Sequence, residues 1–239
     1  MTKHIEIKRI DSVLEVTLNK PKVNAIDEQM SRELGQAFMT FRDDNDLRVA
    51  ILTAEGDRIF SAGWDLKSLD SGDAKLDQWW ENGDYGYGGF AGLTENWDLN
   101  KPVIAALNGL AIGGGFEVIA QSDYVVSHTN VVLGLVETLV GLIPAGGGCK
   151  EMLWRWMQTE ESKNDPNFAP LEVFDLIGYA KIANSPEEAL PYKFFLNKDI
   201  KVINRDRLLF ESEKLLEKIQ LSYKPPNDPI FNLPGSGVR

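Results

Sequence analysis

The alternation of apolar and polar residues at the start of the chain predicts a β-hairpin. Residues 5–10 and 13–18 both repeat with a period of two, which is typical of strands with one buried face. The polar pair at 11–12 between them has the residue types of a tight turn. We therefore expect the chain to begin with two paired antiparallel strands.

The apolar spacing then changes to that of a helix. Met30, Leu34, Phe38 and Phe41 lie three or four positions apart, so they share one helical face. Asp27, just before them, is of the residue type that caps helix N-termini. This pattern predicts an amphipathic helix that begins after Asp27 and packs one face in the core.

Two short runs further along are wholly or almost wholly apolar, which is typical of strands buried on both faces of a parallel sheet. They are residues 48–53 and 103–107, and a turn of small residues follows closely after each, at 60–67 and 108–117. Ligands of α/β sheets gather at the carboxyl ends of the strands. We therefore predict an α/β fold in which these two turns meet at one site.

The sequence predicts a division of the chain into three parts. Residues 1–157 form the core and carry the candidate active site, and residues 158–170 are a polar insertion. Residues 171–239 form a helical C-terminal region that ends in an irregular, proline-containing tail. The helices expected in this last region span 171–179, 185–190 and 206–221.

Composition and charge narrow the function classes. The chain has 239 residues, of which 43% are hydrophobic and 26% are charged, as expected of a globular protein with a sizeable core. Its formal charge of −11 argues against a general nucleic-acid or anionic-membrane surface. No apolar run reaches the roughly 20 residues of a membrane span, and the polar N-terminus lacks a signal-peptide core. We therefore predict a cytoplasmic protein that binds neither nucleic acid nor membrane.

The few sulfur and imidazole groups predict no metal site and no internal disulfide. Cys149 is the single cysteine, and His4 and His128 have no other ligands at metal-binding spacing. Because no histidine lies near Cys149 in sequence, a small packed residue is a simpler interpretation than a catalytic nucleophile.

The strongest chemical signal is the glycine-rich turn at 109–115, which Glu117 follows. Its glycines let backbone N–H groups approach a ligand closely, and the first amides of a helix have no intrahelical partner. Such amides stabilise developing negative charge, and a carboxylate beside them suggests acid–base chemistry on a carbonyl compound. Taken alone, the stretch fits equally well with a glycine turn that packs a helix on a sheet. A second carboxylate, Glu137, precedes another glycine turn at 141–148.

Four ordered motifs resemble the crotonase family, the enoyl-CoA hydratases and isomerases. They lie at residues 19–25, 60–63, 108–117 and 137–147, and the resemblance covers residues 4–157 well and 171–221 loosely. It implies a crotonase-like ββα spiral with a short helical C-terminal region, and a homo-oligomer, either trimer or hexamer. The tail has no counterpart of the usual terminal helices, so we expect any oligomer to be weaker than is normal for the family.

Position by position, the resemblance implies an oxyanion hole and two catalytic acids. The oxyanion hole falls on the backbone N–H groups of Trp64 and Gly114, and the acids are Glu117 and Glu137. The candidates for binding coenzyme A are Lys20, Lys22, Ala25, Ala62, Asp65, Leu66 and Lys67. For any one of these lysines, a solvated surface residue is an equally good interpretation.

The implied function is that of a lyase, a reversible enoyl-CoA hydratase or dehydratase. Two amides would polarise the thioester carbonyl while two carboxylates handle the proton of water and the proton at Cα. The only cofactor group expected is the coenzyme A carried by the acyl-CoA substrate. Two alternatives stay open: an enoyl-CoA isomerase, which needs one carboxylate, and a non-catalytic acyl-CoA-binding oligomerisation partner.

The acyl group is indicated by two resemblances that disagree. Residues 41–44, 61–67 and 88–95 resemble the carnitinyl-CoA dehydratases, whereas residues 134–137 and 141–153 are similar to the hydratase part of fused 3-hydroxyacyl-CoA dehydrogenases. Segment 69–99 is rich in aromatic and acidic residues, which favours a lid over a cationic acyl group, although a solvated loop explains it about as well. The candidates for the lid and the acyl site are Trp79, Trp80, Tyr85, Tyr87 and Phe90.

Overall fold

The computed structural model describes residues 3–70, 85–144, 146–231 and 233. Ten strands lie in this part of the chain: β1 Ile5–Ile10, β2 Val13–Leu18, β3 Val49–Ala54, β4 Ile59–Ser61, β5 Val103–Leu107, β6 Leu110–Ile112, β7 Tyr124–His128, β8 Leu133–Gly134, β9 Ile182–Ala183 and β10 Ile200–Val202. The α-helices in the same part are α1 Glu28–Asp43, α2 Leu66–Asp70, α3 Gly114–Ala120, α4 Gly147–Met157, α5 Glu160–Asn164, α6 Phe168–Gly178, α7 Pro186–Ala189 and α8 Leu208–Ile219. Short 3₁₀ helices span Phe90–Gly92, Glu137–Val140 and Arg205–Arg207.

The strands form two sheets. The larger has the order β1-β2-β3-β5-β7-β10, and the smaller has the order β4-β6-β8-β9. The predicted hairpin is confirmed, because β1 and β2 pair antiparallel with Ile7 opposite Val16. The expectation that each strand has one buried face is wrong, since β2 is buried on both faces by its neighbours β1 and β3 and the edge strand β1 is exposed beyond Ile5. From β2 onwards every pairing in the larger sheet is parallel.

Successive turns of the chain contribute one strand to each sheet and then a helix. The pair β3 and β4 leads into α2, and the pair β5 and β6 leads into α3. The pair β7 and β8 leads into the 3₁₀ helix Glu137–Val140 and then α4. This repetition is the ββα spiral that the family resemblance implies.

Helix α1 packs against this spiral as expected. The Asp27 side chain accepts a hydrogen bond from the Met30 N–H and so caps the helix. Met30, Leu34 and Phe38 are fully buried on its inner face, and each such side chain contributes about 1.5–3 kcal/mol to stability. The two predicted core strands, β3 and β5, are also buried along their whole length.

The C-terminal region is helical, but one helix begins earlier than predicted. Helix α6 starts at Phe168, not at residue 171, since Pro170 lies in its first turn, where no N–H is needed for an intrahelical bond. The residues predicted as a polar insertion, 158–170, contain α5, which Thr159 caps. The predicted division into three parts stays a prediction. The described tail beyond α8 is irregular, as expected.

Candidate active site

Three parallel strands of the smaller sheet end at one edge, and the candidate site lies there. Strand β6 pairs in parallel with β4 on one side and with β8 on the other. Trp64 follows β4, Gly114 follows β6 and Glu137 follows β8. The sheet thus delivers both predicted amides and one predicted carboxylate to the same place, and the two small-residue turns meet as expected.

The two turns are in direct backbone contact. A Cβ added to Gly63 would lie 2.7 Å from the Gly114 nitrogen and 2.9 Å from the Ile112 carbonyl oxygen, so only glycine fits there. Gly63 also has a φ of 86°, which other residues rarely adopt. This close approach places the amide of Trp64, the next residue, beside that of Gly114.

Hydrogen bonds fix the turn that carries Trp64. The Ser61 hydroxyl donates to the Asn24 carbonyl oxygen (2.8 Å) and accepts from the Gly63 N–H (3.1 Å). On either side of Trp64, the Ile26 N–H donates to Gly63 (2.7 Å) and the Asp65 N–H donates to Ile26 (3.0 Å). These roles of Asn24 and Ser61 are not predicted from the sequence, although both residues lie inside the motifs that carry the resemblance.

Glu117 is a buried carboxyl group on α3, with 5% of its surface exposed. The Gly148 N–H, at the start of α4, donates to its Oε1 at 2.9 Å. Burial raises the pKa of Glu117 to about 7; the Gly148 hydrogen bond opposes this shift and the charge of Glu137 adds to it. Near neutral pH this group can therefore both give and take a proton.

Glu137 faces the same turn from the other side. Its Oε1 would lie 3.4 Å from a Cβ added to Gly113, the residue before Gly114. Its Oε2 is buried and has no hydrogen-bond partner among the described residues. Burial also raises the pKa of Glu137. Such an oxygen is available to accept a hydrogen bond from a water molecule or a substrate.

Cys149 lies beside the two carboxyl groups. Its Sγ donates to the Pro144 carbonyl oxygen at 3.3 Å. Burial, together with the charges of Glu117 and Glu137, raises the pKa of Cys149 to about 11. The thiol therefore stays protonated and is a poor nucleophile, in agreement with its interpretation as a packed residue.

Comparison with known proteins identifies the family to which this geometry belongs. Over residues 8–161 the chain matches the family described as enoyl-CoA hydratase/isomerase. The chain belongs to this family. The predicted family and the predicted crotonase-like α/β fold are therefore confirmed.

Relatives of known name extend the comparison. The carnitinyl-CoA dehydratase of Escherichia coli K12 is 49% identical over 148 residues, which are 62% of this chain and 54% of that protein. The chain thus spans about half the length of the curated relatives it matches. A solved carnitinyl-CoA dehydratase from Mycobacterium avium has 26% identity and a TM-score of 0.74, covering 93% of this chain and 78% of that chain. An enoyl-CoA hydratase from Mycobacterium tuberculosis has 27% identity and a TM-score of 0.72 over the same shares.

The predicted coenzyme A candidates of this family member fall into two groups. In the first group, Lys22, Lys67 and Leu66 are exposed, and Ala25 and Ala62 are half-buried. Lys20 and Asp65 instead form an ion pair with each other at 2.8 Å. A cavity of about 560 Å³ beside Lys22 is also lined by Arg58, which the sequence analysis did not select.

The aromatic residues predicted for the lid do not lie together in one cluster. Trp79 and Trp80 lie outside the described residues. Tyr85 and Phe90 are buried against Trp64: the Trp64 and Phe90 rings stack at 5.0 Å, and the Tyr85 ring meets Trp64 edge-on at 5.4 Å. A Cβ added to Gly114 would lie 2.7 Å from the Phe90 ring, so this aromatic cluster of Trp64, Tyr85 and Phe90 borders the glycine turn at 113–115.

Tyr87 is separate from the aromatic cluster. The Arg42 guanidinium lies 4.7 Å from the centre of its ring and donates to its hydroxyl. The Tyr87 hydroxyl also donates to Asp98. A second cation is disfavoured on a ring face that already carries an arginine, so Tyr87 is a poor candidate for a cation-binding residue.

Two properties of the described residues bear on membranes and metals. No helix in this part of the chain combines the length and the apolar character needed to cross a bilayer. The same residues contain no group of three or more His, Cys, Asp or Glu side chains arranged to hold a metal ion.

Proposed function

We propose that this chain catalyses the reversible addition of water to an α,β-unsaturated acyl-CoA. The observation that carries the proposal is the pair of carboxyl groups at the glycine turn, of which Glu117 is buried and Glu137 is half-buried. Glu117 has a pKa raised to about 7, and Glu137 presents a buried oxygen that has no partner among the described residues. Both lie beside backbone amides that suit a thioester oxygen.

The chemistry divides between the amides and the acids. The Trp64 and Gly114 N–H groups would hold the thioester oxygen and so draw electrons away from the double bond. One carboxylate takes a proton from water as the hydroxyl adds at Cβ, and the other, in its protonated form, gives a proton to Cα. The pair contains the same number of protons before and after the reaction, so these groups suffice without a separate cofactor.

The acyl group that we propose is a short one with a quaternary ammonium tail. The relatives at 49% identity are named carnitinyl-CoA dehydratases. The aromatic cluster borders Gly114, and aromatic faces attract such cations by about 0.5–2 kcal/mol. The same residues also suit an uncharged short chain, so the test compares both.

A paired assay tests reaction and substrate together. Purified protein is incubated with crotonobetainyl-CoA or crotonyl-CoA in ¹⁸O-labelled water, and the products are analysed by mass spectrometry. The proposal expects ¹⁸O in the hydroxyl group and faster turnover of the charged substrate. Double-bond migration without ¹⁸O would favour the isomerase, and binding without turnover would favour the non-catalytic acyl-CoA binder.

Two variants locate the cation site. Tyr85→Leu and Phe90→Leu should each reduce the preference for crotonobetainyl-CoA several-fold, because each removes a ring from the aromatic cluster. Tyr87→Leu is the matched control, and the preference should persist in it. Equal rates on both substrates in the wild type would favour a plain short-chain enoyl-CoA hydratase.

Assembly and location are further parts of the proposal. A trimer or hexamer and a cytoplasmic location both follow from the resemblance and the sequence. The exposed apolar side chains of Leu171, Phe174 and Tyr179 on and after α6 support self-association.

A further inference from the structure

Lys20 contacts two carboxylates at once. Its Nζ lies 2.5 Å from Asp27 Oδ2 and 2.8 Å from Asp65 Oδ2, and only 14% of its side chain is exposed. A lysine that binds the phosphates of coenzyme A needs a free ammonium group. Here the ammonium is already neutralised by two acids of the chain.

Both acids lie next to the turn that carries Trp64. Asp27 caps α1, with its Oδ1 accepting the Met30 N–H at 2.8 Å. Asp65 directly follows Trp64, and its N–H donates to Ile26 at 3.0 Å. The Lys20 ammonium therefore connects the start of α1 to the residue next to the Trp64 amide.

The backbone of Lys20 is tied to the same turn. Its N–H donates to Asn24 Oδ1 at 2.8 Å, and its carbonyl oxygen accepts from the Asn24 N–H at 3.0 Å. The Asn24 carbonyl oxygen in turn accepts from the Ser61 hydroxyl. Lys20 thus holds the residues before Trp64 through its main chain and the residue after it through its side chain.

Electrostatics make the side-chain contact hard to replace. Burial opposes the charge of Lys20, but the hydrogen bonds and charges of Asp27 and Asp65 outweigh it and raise its pKa. Lys20 also lowers the pKa of Asp65 against the effect of burial. Without the ammonium, the Asp27 and Asp65 carboxylates would face each other across a partly buried gap, and their repulsion would move Asp65 away from Asp27.

We propose that Lys20, acting through Asp65, is a positioning residue that holds the Trp64 N–H on the substrate's thioester oxygen. This inference rests on the proposed function. It replaces the expectation that Lys20 and Asp65 bind coenzyme A. Loss of the contact should affect turnover more than affinity, because the amide acts most strongly on the charge that develops during reaction.

The test combines kinetics with a spectroscopic signature. In Lys20→Met, kcat for enoyl-CoA hydration should fall by about 10- to 100-fold while KM changes far less. The infrared C=O stretch of a bound ¹³C-labelled enoyl thioester should lose much of the downshift that it shows in the wild type. A general loss of folding would not remove the downshift from the fraction of protein that still binds the thioester. Lys20→Arg should restore part of both kcat and the downshift.

Two other lysines serve as controls. Lys8→Met removes an ammonium that pairs with Glu15 on the hairpin, which belongs to the larger sheet and not to the sheet that carries Trp64, and should leave both readouts unchanged. Lys22→Met alters an exposed lysine of the same loop and should raise KM without moving the C=O stretch. If Lys20→Met does not fold, Asp65→Ala provides the same test, because it removes both the charge and the acceptor oxygen that Lys20 contacts and retains the Lys20–Asp27 pair.

The outcomes are separable. A higher KM with unchanged kcat and an unchanged C=O stretch in Lys20→Met would overturn the inference and return Lys20 to the coenzyme A site. If the wild type binds the thioester without hydrating it, the proposed function fails, but the C=O stretch still tests the role of Lys20. A C=O stretch that is not downshifted in the bound wild type would overturn both the proposed function and the role of Lys20.

Discussion

Protonation of Glu117 should make the stability of this protein depend on pH in an unusual direction. Its pKa rises from an ordinary value of 4.5 to about 7 in the folded chain. The native state therefore binds more protons than the unfolded state between these values. Stability is greatest below the unfolded pKa and is lost as the pH rises through the folded pKa, the opposite of a salt-bridged carboxylate.

The size of the effect follows from the two pKa values. Between about pH 5 and pH 8 this one group should remove about 2.5 kcal/mol of stability. Glu117→Gln abolishes the titration and keeps an oxygen that can accept the Gly148 N–H. Relative to the wild type, the variant should therefore gain about 2.5 kcal/mol over this interval.

Urea unfolding followed by circular dichroism, at the two pH values, measures this difference. Glu137 titrates in both proteins, so most of its contribution cancels in the comparison. Parallel pH profiles for wild type and Glu117→Gln would refute the reasoning, because they would mean that burial does not shift Glu117.

Three further predictions concern packing and assembly. Gly114→Ala should cost about 1–3 kcal/mol and suppress hydration, because its Cβ would lie 2.7 Å from the Phe90 ring; a wild-type urea midpoint and rate would contradict this. Tyr223→Phe removes the 2.8 Å hydrogen bond to Asp123 and should cost about 1–3 kcal/mol in the same unfolding assay, whereas an unchanged midpoint would mean that the contact contributes nothing. Sedimentation should show an oligomer that dissociates on dilution to nanomolar concentration and that Phe174→Glu abolishes, because Phe174 is 67% exposed on α6; a trimer that persists at that dilution would show the assembly to be strong.

The parts of the fold that the sequence predicts best are those with a local period. The hairpin has an apolar spacing of two, α1 has a helical spacing, and the buried strands are almost wholly apolar runs. Such patterns can be read without knowing which distant residues the element contacts. The start of α6 was missed because Pro170 normally ends a helix. Pro170 is compatible with α6 only because it lies in the first turn of the helix.

The roles of individual side chains at the site were less predictable, because they depend on contacts between distant residues. Lys20 is 45 residues from Asp65, and nothing in its own loop indicates that its charge is already paired. Trp64 was chosen for its amide alone. Its ring contacts the rings of Phe90 and Tyr85 only because the fold packs the segment after residue 84 against the turn that carries Trp64.

The measurement that tests the central claim most directly is the hydration rate of Glu117→Gln and Glu137→Gln, alongside the binding of a saturated acyl-CoA. If the two acids handle the two protons of the reaction, each variant should lose about 100-fold or more in kcat while the saturated ligand still binds. Hydration at the wild-type rate in either variant would contradict the account. In the case of Glu137→Gln it would leave a single-carboxylate isomerase as the better assignment.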